Sequence, residues 1–108
     1  MDTTTLPEAE LMALASAYPD LPSEYFAYLR NVGSGEAASG RMIYGGPVPA
    51  QDIYGTSFVR TDIVLLGDDL AGFCFGYDLI NSIYGEVSPN GIWQPWPVNQ
   101  GFEHYVGA

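Results

Sequence analysis

The chain has 108 residues, 47% of them hydrophobic and 14% aromatic, which predicts one folded domain over residues 1–108 and argues against intrinsic disorder. Thirteen acidic residues face three basic ones, Arg30, Arg41 and Arg60, and there is no lysine, so the formal net charge is −10. Such a surface repels nucleic-acid phosphates and anionic lipids, so it disfavours nucleic-acid and membrane binding and favours a basic partner. The alternative is that the excess acid serves solubility alone.

Cysteine usage and the start of the chain bear on the cellular compartment. The single cysteine, Cys74, excludes an internal disulfide and a multi-cysteine metal site, and its phenylalanine neighbours predict a reduced core thiol. Residues 1–5 lack the basic start and apolar core of a signal peptide, and no apolar run approaches the ~20 residues needed to cross a bilayer. The sequence therefore predicts a cytoplasmic protein.

The first predicted element is a helix that opens at Leu6-Pro7-Glu8-Ala9-Glu10. Proline is tolerated in a first helical turn, and early acidic residues complement the positive end of the helix dipole. Leu11, Leu14 and Tyr18 follow at helical spacing, and Pro19 ends the pattern because a proline disfavours helical geometry in the residue before it.

A second helix with the same opening chemistry is predicted from Leu21-Pro22-Ser23-Glu24. Gly33 and Gly35 are expected to end it. Its apolar stripe has members three and four residues apart: Tyr25, Phe26, Leu29 and Val32.

From Gly40 onward the apolar blocks shorten to strand length. Strands are predicted at Met42-Ile43-Tyr44, Ile63 to Leu66, Phe73 to Tyr77, Ile83 to Val87 and Ile92-Trp93. Residues 64–79 are predicted to form a hairpin. Two apolar blocks flank a stretch that favours a chain reversal, which contains Gly67, Asp68, Asp69 and Gly72. Single helical segments are expected at Pro49 to Tyr54 and at Asn99 to Val106, the latter with Phe102, Tyr105 and Val106 inward. Helices followed by strands indicate an α+β fold.

Catalytic patterns are scarce in this chain. The one histidine, His104, favours a surface or capping role, and Gly33-Ser34-Gly35 lacks the lysine of a phosphate loop and ends a helix where such a loop would begin one. Asp68 and Asp69, with Asp78 and Glu86, are compatible with a hard cation or an acid/base pair, yet their spacing matches no calcium loop. Aspartates that satisfy local backbone N–H groups in a turn are the simpler interpretation of the pair.

Trp93-Gln94-Pro95-Trp96-Pro97 contains both tryptophans. One interpretation is an aromatic platform for a sugar or a partner protein, since tryptophan is a favoured interface anchor. The other is a strand-end segment that wraps the core, with Trp93 buried and Trp96 the more exposed ring.

The order of these motifs resembles the SUKH superfamily, which includes fungal cell-wall-synthesis regulators and many bacterial immunity proteins. The resemblance covers roughly residues 6 to 106. It is carried by Leu21-Pro22-Ser23-Glu24-Tyr25-Phe26-Ala27-Tyr28-Leu29-Arg30-Asn31-Val32-Gly33-Ser34-Gly35, Leu65-Leu66-Gly67-Asp68-Asp69, Gly72-Phe73-Cys74-Phe75-Gly76-Tyr77-Asp78-Leu79, Tyr84-Gly85-Glu86-Val87 and Gly101-Phe102-Glu103-His104-Tyr105-Val106.

This resemblance implies two N-terminal helices and a C-terminal helix packed on a mainly antiparallel sheet, with no catalytic activity. The residues themselves predict no cofactor and no metal site, since one histidine and one cysteine lie some thirty positions apart. For bacterial members it implies neutralisation of a cognate toxin, often a nuclease, by direct binding. The negative charge of this chain fits such a partner, because nucleases hold phosphates and therefore tend to be basic. The expected contacts are Asp68, Asp69, Asp78, Glu86 and Trp96. A regulatory scaffold for an endogenous partner and an enzyme or cation-binding protein that uses these carboxylates remain alternatives.

Overall fold

In the computed structural model, residues 3–55, 58, 60 and 62–107 are described. Met1, Asp2 and Ala108, which belong to the predicted domain, lie outside these residues. The elements in chain order are β1 (Thr3–Thr4), α1 (Glu8–Ala17), α2 (Ser23–Asn31), β2 (Ser34–Glu36), β3 (Met42–Pro49), α3 (Ala50–Tyr54), β4 (Ile63–Asp68), β5 (Cys74–Asp78), β6 (Ile83–Val87), β7 (Trp93–Pro95) and α4 (Phe102–Val106).

The strands form one sheet in which every neighbouring pair is antiparallel and the spatial order follows the sequence from β1 to β7. The predicted hairpin of residues 64–79 is the central pair, β4 with β5. Its register shifts between Leu65 and Gly67, an irregularity that interrupts the alternation of side chains just before the turn. The α+β class, with two N-terminal helices and a C-terminal helix on an antiparallel sheet, is confirmed.

The helices α1 and α2 begin directly after Pro7 and Pro22, whose φ angles of −59° and −63° suit entry into a helix. Gly33 ends α2 as expected: its φ is +102°, and a Cβ there would lie 2.3 Å from the backbone of Thr4. Glycine is therefore required both for the reversal of the chain and for the close approach of β1.

One face of the sheet packs against α1, α2 and α4. The core on this face is strongly aromatic, with the Phe75 ring stacked 3.9 Å from that of Tyr105 and 5.4 Å from that of Tyr84. Phe102, Tyr105 and Val106 point inward from α4, which confirms that part of the sequence prediction. Further buried members of this cluster are Leu11, Leu21, Tyr25, Leu29, Ile43, Val64 and Leu66.

A smaller core lies on the opposite face, beneath α3. Its buried members are Ala50, Phe58, Ile63, Leu65, Cys74 and Val87. Cys74 is buried there, as predicted for a core thiol. Within the described residues, the sheet is thus covered on one face by three helices and on the other by α3 and the side chain of Phe58.

Several boundaries differ from the sequence prediction. The strands β1 and β2 were not expected, and β3 continues to Pro49 instead of ending at Tyr44. The stripe of α2 stops at Leu29, because Val32 lies beyond the helix and is 41% exposed. Within the described ranges, no helix combines the length and hydropathy that crossing a membrane requires.

Candidate partner-binding site

Asp68 and Asp69 form the turn between β4 and β5 through their side chains. The Asp68 carboxylate accepts the backbone N–H of Leu70 at 3.0 Å and the hydroxyl of Tyr44 at 2.7 Å. The Asp69 carboxylate accepts the N–H groups of Ala71 at 2.8 Å and Phe73 at 3.1 Å. Both side chains therefore satisfy local backbone donors, as the turn interpretation predicted.

Asp78 lies at the other end of β5 and does not join this pair. The residue is 3% exposed, and its carboxylate accepts hydrogen bonds from Arg60 at 2.9 Å and from the side-chain amide of Asn81 at 2.8 Å. The backbone N–H groups of Ile80 and Asn81 also donate to it. Contrary to the expected contact set, Asp78 has almost no surface to offer a partner, because the β5–β6 turn encloses it.

Arg60 joins Asp78 to a second carboxylate. The guanidinium donates two hydrogen bonds to Asp62, at 3.0 and 2.7 Å, and these bonds lower the pKa of the Asp62 carboxyl. The same pair of bonds, opposed by partial burial, raises the pKa of Arg60. This end of the sheet is thus an ion-paired cluster of one arginine and two aspartates that stabilises the fold.

Glu86 and Trp96 are joined directly. The indole N–H of Trp96 donates to the Glu86 carboxylate at 2.9 Å, and the ring packs 5.3 Å from Phe75 and edge-on to His104 at 5.5 Å. The sequence favoured an exposed Trp96 and a buried Trp93, but both rings are half-buried. Trp96 packs with the helix-side core and Trp93 with the opposite core, so the two rings do not form one platform.

The structure brings together three of the five expected contact residues. Asp69, Glu86 and Trp96 border one cavity of about 40 Å³, together with Arg41 and Tyr105. A cavity of this size has room for water but not for a ligand. These three residues, Asp69, Glu86 and Trp96, are called here the tip surface.

Asp68 faces the other side of the sheet. Its carboxylate borders an open groove of about 550 Å³ between α3, the β4–β5 turn and the β6–β7 turn. The groove lies over Tyr44 and Tyr54; the Tyr54 hydroxyl donates to the Cys74 sulfur at 3.3 Å. Burial, followed by this hydrogen bond, raises the pKa of Tyr54, so the phenol stays neutral at the base of the groove.

Sequence patterns did not reveal this groove. It depends on β3 extending past Tyr44 into α3, and on α3 lying over the sheet, neither of which follows from hydrophobic spacing. One signal was present, namely a large apolar residue, Leu70, in the middle of an otherwise polar turn.

All three arginines are occupied within the chain. Arg30 pairs with Glu8 and Arg60 with Asp62 and Asp78, while Arg41 donates to the carbonyl oxygens of His104 and Tyr105 and lies over the Tyr105 ring. Among the residues with described positions, nine carboxylates make no ion pair: Glu10, Asp20, Glu24, Glu36, Asp52, Asp68, Asp69, Glu86 and Glu103.

The part of the chain that the structure describes contains no group of three or more His, Cys, Asp or Glu side chains placed to hold a metal ion. Comparison of the chain with protein-family models, curated proteins and solved structures gave no match. Function is therefore inferred from the geometry and charge of the described residues.

Proposed function

We propose that this chain is an immunity-type protein that binds a basic toxin domain, such as a nuclease, and neutralises it by covering its phosphate-binding surface. The observation that carries this proposal is the unbalanced charge. The chain's arginines are engaged internally, while nine described carboxylates lack an ionic partner. A negative electrostatic field speeds the encounter with a cationic surface, and the carboxylates compete with the phosphates that such a surface binds.

The tip surface is suited to the first contact. Asp69 is fixed by the N–H groups of its own turn and Glu86 by the indole of Trp96, so neither carboxylate has to lose much side-chain freedom on binding. Trp96 adds a partly exposed aromatic ring to the same surface. Fixed carboxylates beside an aromatic side chain are a suitable surface for lysine and arginine side chains.

A regulatory or scaffold protein that binds an endogenous partner is the second candidate, since the same acidic surface would serve it. The two candidates separate by phenotype. Protection of cells from one specific toxin supports the immunity function, whereas recovery of a housekeeping protein without any toxin supports the scaffold.

Coexpression with the product of the adjacent gene tests the proposal. We expect the chain to protect cells from that product and to copurify with it. The variant Asp69→Lys/Glu86→Lys should lose protection, while Glu10→Lys/Asp20→Lys, which makes the same change in net charge on and just after α1, should retain most of it. Equal protection by both variants would contradict a role for the tip surface, and a harmless or unbound gene product would contradict the immunity function.

A further inference from the structure

The groove on the α3 side of the sheet is bordered by two apolar side chains that the fold leaves uncovered. Ile53 of α3 is 47% exposed and Leu70 of the β4–β5 turn is 70% exposed. Pro89 of the β6–β7 turn closes the third side. The volume of about 550 Å³ is enough for one or two large side chains of a partner.

Leu70 is held in an unfavourable backbone conformation. Its φ is +65°, in the left-handed region, which costs energy for a residue with a branched side chain beyond Cβ. Among the described residues with positive φ, Ser82 is the other non-glycine, and the remaining seven are Gly33, Gly35, Gly40, Gly55, Gly72, Gly91 and Gly107. At position 70 the chain instead carries a leucine whose exposed side chain contributes little to the core, and strain of this kind is a feature of functional positions.

The charge around the groove selects its occupant. Asp68 borders the groove, and Asp69 is the next residue of the same turn. A second copy of this chain, with its own net charge of −10, would meet these carboxylates with like charge. A protein surface with an apolar side chain between lysines or arginines fits both the apolar walls and the acidic edge.

We propose that this groove is the site where the basic partner seats a large apolar side chain, with Leu70 as the anchor on this chain and Asp68 as the contact for an adjacent cation. The inference rests on the proposed function, which supplies the basic partner. It places the specific contact on the face of the sheet opposite α1, α2 and α4, whereas the tip surface provides electrostatic attraction. Leucine at position 70 then lowers the stability of the free protein somewhat and raises its affinity for the basic partner.

Short peptides test the chemistry of the groove without a toxin. The probe is Ac-Lys-Trp-Lys-NH2 at millimolar concentration, observed through the backbone amide signals of the isotope-labelled protein. We expect shifts at residues around the groove, among them Leu70, Gly72 and Cys74. Ac-Glu-Trp-Glu-NH2 and Ac-Lys-Gly-Lys-NH2 should produce much smaller ones. Absence of groove shifts, or equal shifts with the glutamate peptide, would overturn the proposal.

Two substitutions at matched positions isolate the role of the anchor. Leu70 and Ile80 each follow an aspartate by two residues and donate their N–H to it, and Ile80 is 76% exposed but lies at the other end of β5. Leu70→Asn should weaken peptide binding about tenfold. It should not lower the melting temperature, because asparagine tolerates positive φ. Ile80→Asn should leave binding unchanged; equal losses from both would contradict a specific anchor.

Dissociation constants measured for the toxin complex test the role of the groove separately from the immunity function. If the adjacent gene product is bound and neutralised, we expect Leu70→Asn to raise the dissociation constant about tenfold and Ile80→Asn to leave it unchanged. A complex indifferent to Leu70→Asn would overturn the groove assignment while leaving the immunity function intact. A protein that takes the lysine peptide in the groove but protects against no toxin would overturn the immunity function alone.

Discussion

Tyr25 and Tyr105 lie in the same core, but their hydroxyl groups have opposite surroundings. Tyr25 is fully buried, and its hydroxyl oxygen has no hydrogen-bond partner in the described part of the chain. The Tyr105 hydroxyl lies 2.8 Å from the carbonyl oxygen of Met42 and 2.7 Å from that of Asp68, so it ties α4 to β3 and β4. A buried polar group without a partner costs free energy, whereas a satisfied one stabilises the fold.

Removing each hydroxyl should therefore have effects of opposite sign. We expect Tyr25→Phe to raise the free energy of unfolding by about 1 kcal/mol and Tyr105→Phe to lower it by about 1–2 kcal/mol. Urea denaturation of the two variants beside the parent chain measures both. A loss of stability in Tyr25→Phe as large as that in Tyr105→Phe would show that the Tyr25 hydroxyl is bonded after all.

Substitution of Asp78 should affect stability alone, whereas substitution of Asp69 should affect partner binding alone. Asp78→Asn replaces a buried carboxylate that accepts hydrogen bonds from Arg60 and from backbone N–H groups of the β5–β6 turn. We expect this substitution to lower the free energy of unfolding by about 2 kcal/mol and to leave partner association unchanged. Asp69→Asn keeps an acceptor for its turn but removes a charge, so association should slow while stability changes little. The result that would refute this division is a binding defect in folded Asp78→Asn equal to that in Asp69→Asn.

At the scale of elements, a pair of facing glycines on β5 and β6 explains where Trp93 lies. Gly76 and Gly85 are register partners, and Cβ atoms there would lie 3.2 and 2.7 Å from the Trp93 ring. The absence of side chains lets the indole lie against the sheet on the α3 side. The backbone of β7 is also close, because a Cβ at Gly85 would be 2.6 Å from the carbonyl oxygen of Gln94.

A methyl group at Gly85 should push β7 and Trp93 away from the sheet. We expect Gly85→Ala to lower the free energy of unfolding by about 2 kcal/mol, the usual cost of overpacking. The control is Gly46→Ala in β3, where the new Cβ would meet only the end of the Leu14 side chain at ordinary contact distance, 3.5 Å. That variant should stay within about 0.5 kcal/mol of the parent chain, and equal losses at both positions would contradict the packing argument.

Elements with strong local signals could be predicted from sequence. Prolines at 7 and 22 mark the starts of α1 and α2, and the apolar block from Ile63 with the Gly-Asp-Asp turn gives the central hairpin. The strands β1 and β2 could not be predicted, because Thr3–Thr4 and Ser34–Glu36 carry no apolar pattern and form through pairing with distant residues. Such short strands depend on tertiary contacts more than on their own propensity.

The candidate site was predictable only in part. The turn role of Asp68 and Asp69 follows from local chemistry, but the pairing of Asp78 with Arg60, eighteen residues earlier in the chain, does not. Neighbouring residues of a strand face opposite sides of the sheet, but which of Asp68 and Asp69 faces the α3 side depends on the irregular register of β4, which no sequence pattern indicates.

At the scale of the whole molecule, burial of several tyrosines makes stability sensitive to alkaline pH. Burial is the main cause that raises the pKa of Tyr25, Tyr84 and Tyr105, and a hydrogen bond to Glu24 raises that of Tyr84 further. In the unfolded chain these phenols titrate near pH 10. The stabilising contribution is therefore fully present below about pH 10 and is lost as the pH rises toward the higher values of the folded state.

We expect the free energy of unfolding, measured in urea, to be nearly constant from about pH 8 to 9.5 and to fall steeply above about pH 10. Tyr84→Phe removes one of the contributing groups, so its stability should fall less steeply with pH. Stability that is the same at pH 11 as at pH 8 would mean that the tyrosines ionise freely within the folded protein.

The net charge of −10 supports the proposal that an acidic surface attracts a basic toxin domain. The most direct measurement is the association rate constant of the purified chain with an inactivated form of the adjacent gene product, over ionic strengths from about 0.02 to 0.5 M. We predict a fall on the order of tenfold or more across this range, with a much smaller change in the dissociation rate constant. An association rate that does not change with salt, or no association at low ionic strength, would rule out electrostatic attraction between this chain and that toxin domain.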